Sequence, residues 1–381
     1  GGLMTPHAPA TVRRTALAVS TALITALPVL AASGSSAGAA APAGPAATAP
    51  VATVDVPAAR AGKKNKKKGT QKYHHRAKVG AQVLRAIVLD QAPGVEGDKV
   101  VDLRIGRAAA NINTRKASKA VSTSKTLGGR GLADTDLSGL LTGMVAKAGP
   151  EKGKEEVPSQ TLVPVPAAPL LTLGVSTGET KARWNGPRTC VPGGKTVTSS
   201  SSSTADLAVL PSVIPGFGAL LGLDGTVSAT QKTAYLPKKK KSGLKAVATT
   251  GLADLGLFGD MVSIEVVSDP KMVATATGRP GKAKITYTPA VLEITGPDGS
   301  PVPIPTDGAP AEIGIPANPL LGLTIQFPGI INEKVSENGR LAKAKSVTLR
   351  LVLTLGGVTI ADVAVAPLQT KVKVPKGGIT C

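Results

Sequence analysis

Three features of the sequence predict an all-β protein of two sandwich-like antiparallel β units, preceded by a signal peptide and a basic linker. Apolar and polar residues alternate with a period of two along much of the C-terminal half. The 44 glycines and 31 prolines favour many turns and short strands over long helices. Tyr, Trp and Phe together number only seven (three, one and three), so the core has to be built from Val, Leu, Ile and Ala.

The chain begins with export chemistry. Arg13 and Arg14 are followed by an uncharged run from Ala16 to Ala32, interrupted by Pro28, and then by small residues. These are the charged, apolar and cleavage regions of a secretory signal over residues 4–39, with cleavage after Ala39 or Ala32. The run is shorter than the ~20 residues of a spanning helix. Thr15-Ala16 after the arginines favours general secretion over a twin-arginine signal. Gly1-Gly2-Leu3 ahead of Met4 suggests a natural start further along than residue 1.

Residues 40–76 form the expected linker, Ala/Pro-rich and then Lys-rich, with too few large apolar side chains to order it. Lys63, Lys64, Lys66, Lys67, Lys68, Lys72, Arg76 and Lys78 follow one another without an acid, and the formal charge of the chain is +21. Such a run binds polyanions or simply keeps a tail solvated. For an exported protein the anions met first are wall polymers and the membrane surface. Specific nucleic-acid recognition is disfavoured because aromatic platforms for base stacking are nearly absent.

The folded part is expected over 77–200 (unit 1) and 201–381 (unit 2), with Ser199 to Ser203 as the junction. Val100 to Ile105 is the first strand candidate, and Met261 to Val267 another. Ala283, Ile285 and Tyr287 give a one-sided strand. Leu292 to Thr295, a Gly-Pro-Asp-Gly turn and Val302 to Ile304 read as a hairpin whose prolines place the return at a sheet edge. Leu323 to Phe327 is a further strand. Val347, Leu349, Leu351, Leu353 and Leu355 line one face of a strand that turns at Gly356-Gly357 into Val358 to Val365, with a bulge at Ala361-Asp362 keeping the acid out of the core. Gly131 to Leu140 echoes Gly251 to Asp260, 120 residues later, which suggests duplication. The charge-free stretch from Leu207 to Leu223 reads as a buried or looping segment.

Enzyme chemistry is not expected, and neither is a cofactor or metal. His7 falls in the signal and His74-His75 in the solvated linker, so the folded part should hold no histidine for Ser-His-Asp, Cys-His or zinc chemistry. Asp134, Asp136, Asp254, Asp260, Glu265, Asp269, Glu293 and Glu333 supply carboxylates without a telling spacing. Trp184, between Arg183 and Asn185, is either a packing residue, the commoner role, or a sugar-stacking platform. The latter would make the chain a secreted carbohydrate-binding or carbohydrate-active protein. Cys190 and Cys381 can pair in an oxidising compartment or stand as free thiols. A bridge closing so long a loop would contribute at most about 5 kcal/mol.

The closing segments Ile330-Ile-Asn-Glu333, Ser346 to Leu349, Val358 to Val363 and Val374 to Cys381 resemble the end of secreted actinobacterial choice-of-anchor P proteins. Lys181-Ala-Arg-Trp184 with Cys190 and Gly193-Gly194 is similar to the middle segment of Streptomyces surface proteins carrying an LAETG anchor. The resemblance implies export by a Gram-positive actinobacterium, a β-rich ectodomain and, in many members, a C-terminal sorting signal with a membrane segment. It implies no molecular activity, and the chain departs from the family pattern in having neither an LPxTG-like pentapeptide nor a hydrophobic tail.

Overall fold

The chain runs through one β-sheet, crosses to a second for its middle third, and returns to the first. The computed structural model describes residues 74–88, 101–130, 143–149, 154–156, 159–162, 165–167, 171–185, 191, 194–210, 218–236, 241–305, 309–314 and 320–380. All belong to one compact unit, residues 65–381. No helix occurs among them. The signal region, the linker up to residue 73, Asp134, Asp136, the Gly131–Leu140 echo and both cysteines lie outside the described residues.

The first sheet opens with β1 (Arg76–Val88), β2 (Val101–Asn113), β3 (Ala120–Arg130) and β4 (Met144–Ala148). The second sheet takes the next part of the chain. Its first half is β5 (Lys154–Glu156), β6 (Ser159–Leu162), β7 (Val165–Ala167), β8 (Leu171–Leu173), β9 (Ser176–Trp184), β10 (Thr196–Val209) and β11 (Leu221–Tyr235). After the short β12 (Lys241–Ser242) it continues with β13 (Leu244–Gly251), β14 (Asp254–Leu257), β15 (Val262–Ser268), β16 (Lys271–Ala276), β17 (Lys284–Thr288) and β18 (Val291–Thr295). The chain then returns as β19 (Ala311–Gly314), β20 (Leu321–Gln326), β21 (Gly329–Val335), β22 (Leu341–Val347), β23 (Leu349–Leu355), β24 (Val358–Val365) and β25 (Leu368–Lys373). Finally β26 (Ile379–Thr380) pairs with β12.

Strand pairing is antiparallel and interleaves the two ends of the chain. β1 pairs with β2 along one edge; along the other it pairs with β25 over its first half and β24 over its second. The expected division at 200/201 therefore does not appear. It falls inside β10, which hydrogen-bonds β9 from Thr198 to Thr204 and β11 from Thr196 to Val209. The serine run was misleading because its composition resembles a linker while its side chains alternate as a strand requires. Ser200 and Ser202 are buried, whereas Ser199, Ser201 and Ser203 are not.

The two sheets pack face to face, β1 and β2 lying on β10, β11 and β13. Val79, Val83, Leu84, Leu103, Ile105, Leu221, Leu223, Leu244 and Ala246 are among the buried core residues. Around β3 the layers lie closer than the usual ~10 Å, with Cα atoms within 8 Å of those in β9 and β10. Small polar side chains permit this. Ser122 and Ser124 on β3 each donate 2.6 Å hydrogen bonds to facing carbonyls, those of Ser199 and Ser201. Gln231 on β11 donates to Ser122 and Ser200 at 3.1 and 3.0 Å.

A crease crosses the first sheet. In register across it stand Leu127, Ile105, Leu84, Val365 and Leu349, all buried. Beside this row each strand sends two successive residues inward, as in Val83-Leu84 and Thr348-Leu349. Gly106 sits there at φ 57°, where a Cβ would lie 2.6 Å from Val83 Cγ2, so a side chain would strain the backbone and clash. Thr348 also ends β22, so the expected five-residue apolar face divides: Leu349, Leu351 and Leu353 are buried, Leu355 is half-buried, and Val347 belongs to the preceding strand. The hairpin through Gly356-Gly357 forms as expected. Its irregularity falls at Ile360, one residue earlier than expected, and Asp362 points outward to Arg350 at 2.7 Å. The Leu292 hairpin keeps only a bridge on its return, between Thr295 and Pro301, since proline cannot donate to a ladder.

Candidate functional site: a basic sheet face

On the outer face of the first sheet, four lysines from four strands stand in direct register. Lys334 of β21 is opposite Lys343 of β22, Lys343 opposite Lys371 of β25, and Lys371 opposite Lys78 of β1. Neighbouring strands are about 4.8 Å apart, so the row places a cation at nearly every strand step. None of the four forms an ion pair with another described residue. Like charges directly opposite on a sheet are destabilising, each pair by up to roughly 1 kcal/mol.

Beside the row, the crease leaves a hollow of 410 Å³ whose cationic lining is Lys78, Arg85, Arg104, Arg107 and Lys345. Two of these, Arg85 and Arg104, share one carboxylate, so the three groups together keep a net charge of +1. Burial pushes the Asp102 carboxyl upward, but hydrogen bonds from Arg85 (2.9 and 3.0 Å) and Arg104 (3.3 and 2.6 Å), and their charges, outweigh it and hold Asp102 at about 2. Arg107 has no such partner among the described residues. Burial, and then the charge of Arg104, lowers its pKa from the usual range.

Of the residues expected to bind polyanions, Arg76 and Lys78 are described, and both stand exposed on β1 as part of the sheet. Lys63, Lys64, Lys66, Lys67, Lys68 and Lys72 lie outside the described residues. The lysines of β21, β22 and β25 were not singled out. Their signal was present in the alternation of Leu341-Ala-Lys-Ala-Lys-Ser-Val347 and Leu368-Gln-Thr-Lys-Val-Lys373. That the two runs are neighbours follows only from the order β21-β22-β25-β1, in which strands distant in sequence pair.

The expectation of a fold without histidine is overturned. His75 is 3% exposed, its Nε2 lies 2.8 Å from the Tyr235 hydroxyl, and its ring stacks 6.4 Å from that of Trp184. Burial raises the Tyr235 pKa, so the hydroxyl stays protonated. This aromatic group packs His75, the residue before β1, into the core, whereas composition alone assigns both histidines to the tail. Trp184 is 2% exposed, which removes the sugar-stacking platform.

Several described carboxylates serve the backbone or stand on exposed strands. Asp254 Oδ1 and Asp269 Oδ1 accept backbone hydrogens from Val266 and Leu252. Glu265 and Glu293 are cross-strand neighbours on an exposed face. The three clefts described on the surface hold one carboxylate between them, Glu179. Among the described residues no group of three His, Cys, Asp or Glu is placed to hold a metal, and no helix is long and apolar enough to cross a membrane. No family model, curated protein or solved structure matches the chain.

Proposed function

We propose that the chain is a non-enzymatic secreted or cell-wall-associated surface protein whose basic sheet face and lysine-rich arm hold it against anionic polymers of the envelope. The observation that carries the reading is the cross-strand lysine row, an arrangement that opposes folding and gains from an anionic partner. The hollow with Arg107 extends the same positive surface, and the arm joins it at Arg76, the first residue of β1. The resemblance to choice-of-anchor P and LAETG-anchored proteins adds export by a Gram-positive actinobacterium. That oxidising setting would allow Cys190 and Cys381 to pair.

Binding of this kind is a screened attraction, and the Debye length falls to ~8 Å at physiological ionic strength. The test is adsorption to isolated anionic cell walls across a salt series, for the full chain, a variant lacking residues 63–72, and Lys343→Gln/Lys371→Gln. Adsorption should weaken with salt and be reduced in both variants. Equal, salt-insensitive adsorption by all three proteins sinks the reading.

A further inference from the structure

At the end of the first sheet, beyond the lysine row, four chain segments converge on a separate cleft of 220 Å³. His74 and Arg76 come from the start of β1, Arg115 from the turn after β2, Arg340 from the turn before β22, and Lys373 from the end of β25. Val374 and Pro375 complete the lining, which contains no carboxylate. None of its four permanent cations forms an ion pair with a described residue.

The walls are held by the backbone. Ser336 Oγ accepts hydrogens from the backbone nitrogens of Arg340 (3.1 Å) and Leu341 (2.8 Å), and the Arg340 carbonyl accepts from Val374 N at 2.9 Å. Arg115 N donates to Asn113 Oδ1 at 3.2 Å, and Lys119 Nζ donates to the Thr114 carbonyl at 3.1 Å. The Nε of Arg340 is buried and has no hydrogen-bond partner among the described residues. A buried charge-bearing donor without an acceptor is costly, and a planar guanidinium matches the geometry of a tetrahedral oxyanion.

We infer that this cleft is a discrete binding site for one phosphate or sulfate group, with Arg340, Arg115, Arg76 and Lys373 as ligands and His74 as a proton-dependent fifth. It goes beyond the envelope reading, because a localised site for a single group stands whether or not the lysine row holds a polymer.

His74 gives the site a pH dependence. Its Nδ1 lies 3.4 Å from Thr114 Oγ1, which also donates to the His75 carbonyl at 3.3 Å. That network assigns the neutral ring's hydrogen to Nδ1 and leaves Nε2 to take up the second proton. Burial lowers the His74 pKa first, then the charges of Arg115, Lys119 and Arg76, with Arg340 and Lys373 facing it across the cleft. A bound oxyanion offsets those charges and raises the His74 pKa. Binding therefore takes up a proton, and affinity increases as pH falls through the window between the free and bound values.

Calorimetric titration of the full chain with sodium sulfate, at constant ionic strength, tests this because sulfate does not titrate in that window. One sulfate should bind per chain, more tightly at about pH 5.5 than at about pH 7.5, on either side of the usual histidine pKa. Arg115→Gln, on an exposed turn, and Arg340→Gln should each weaken binding about tenfold or more. His74→Gln should remove the pH dependence, and Lys343→Gln/Lys371→Gln should leave sulfate affinity unchanged, which separates this site from the polymer-binding face. Competition by inorganic phosphate, by a glycerol-phosphate oligomer with a free phosphate end, and by one with blocked ends distinguishes a free ion from a chain terminus as the natural source. The absence of saturable sulfate binding, or equal binding by wild type and Arg115→Gln, overturns the site.

Discussion

Asp102 shows how a single residue organises the sheet's outer surface. Taken alone it is one acid among 24 in the chain, and nothing in Val101-Asp-Leu-Arg104 marks it out. Its importance comes from sheet geometry, which sets Arg104 two residues along the same strand and Arg85 on the neighbouring β1, both reaching the two carboxylate oxygens. The folded pKa of about 2 lies below the unfolded value near 3.8. The stabilisation is therefore complete above about pH 4 and lost as pH falls toward about 2. Asp102→Asn should destabilise the protein near pH 7 by about 1–2 kcal/mol, a figure kept low because both arginines are partly solvated. Chemical denaturation at several pH values should show the difference from wild type shrinking below about pH 4; a constant difference would mean that the carboxylate's charge is not what matters. His75 teaches a related lesson. Beside a lysine run a histidine pair looks like solvated tail, and only the long-range partners Tyr235 and Trp184, supplied by β11 and β9, reveal one of the two as part of the core.

Among the elements, legibility followed the size of the side chains. The Leu349–Leu355 hairpin was readable because large apolar residues alternate and Gly-Gly forces the turn, and the same holds for the Ile285 strand. β10 was not, because Ser is a poor strand former by propensity and common in linkers. Its inward serines are required where the layers approach closely, and the hydrogen bonds from Ser122 and Ser124 to its backbone fix the spacing. This can be tested within the run itself. Ser202, fully buried and donating to the Lys125 carbonyl at 3.4 Å, should tolerate Val poorly, with a loss of about 1–3 kcal/mol from overpacking. Ser201, on the opposite face, should accept Val within about 0.5 kcal/mol. Urea midpoints of the two variants give the comparison, and similar losses would contradict the alternation.

For the whole molecule, the sequence displays the excess charge plainly but not its distribution. A value of +21 suits a sticky tail as well as a patterned surface. The pattern depends on two crossings of the chain, from the first sheet to the second and back, which bring β21, β22 and β25 alongside β1. That topology places Lys334, Lys343, Lys371 and Lys78 in one row. A row kept for stability and a row kept for binding respond oppositely to charge removal. If the lysines serve binding, Lys343→Gln/Lys371→Gln relieves repulsion along the row. Its melting temperature at low salt should then equal or exceed that of wild type, by an increment reflecting roughly 0.2–1 kcal/mol per relieved pair. The increment should fade as salt screens the repulsion. Polyanion affinity should fall in the same variant, and its salt dependence should flatten by roughly 0.7–0.9 in log–log slope for each lost phosphate contact, taking nucleic acid as the guide. A lower melting temperature with unchanged polymer affinity would instead assign the row to packing by the lysine stems, leaving envelope binding to the arm and the arginine-lined hollow.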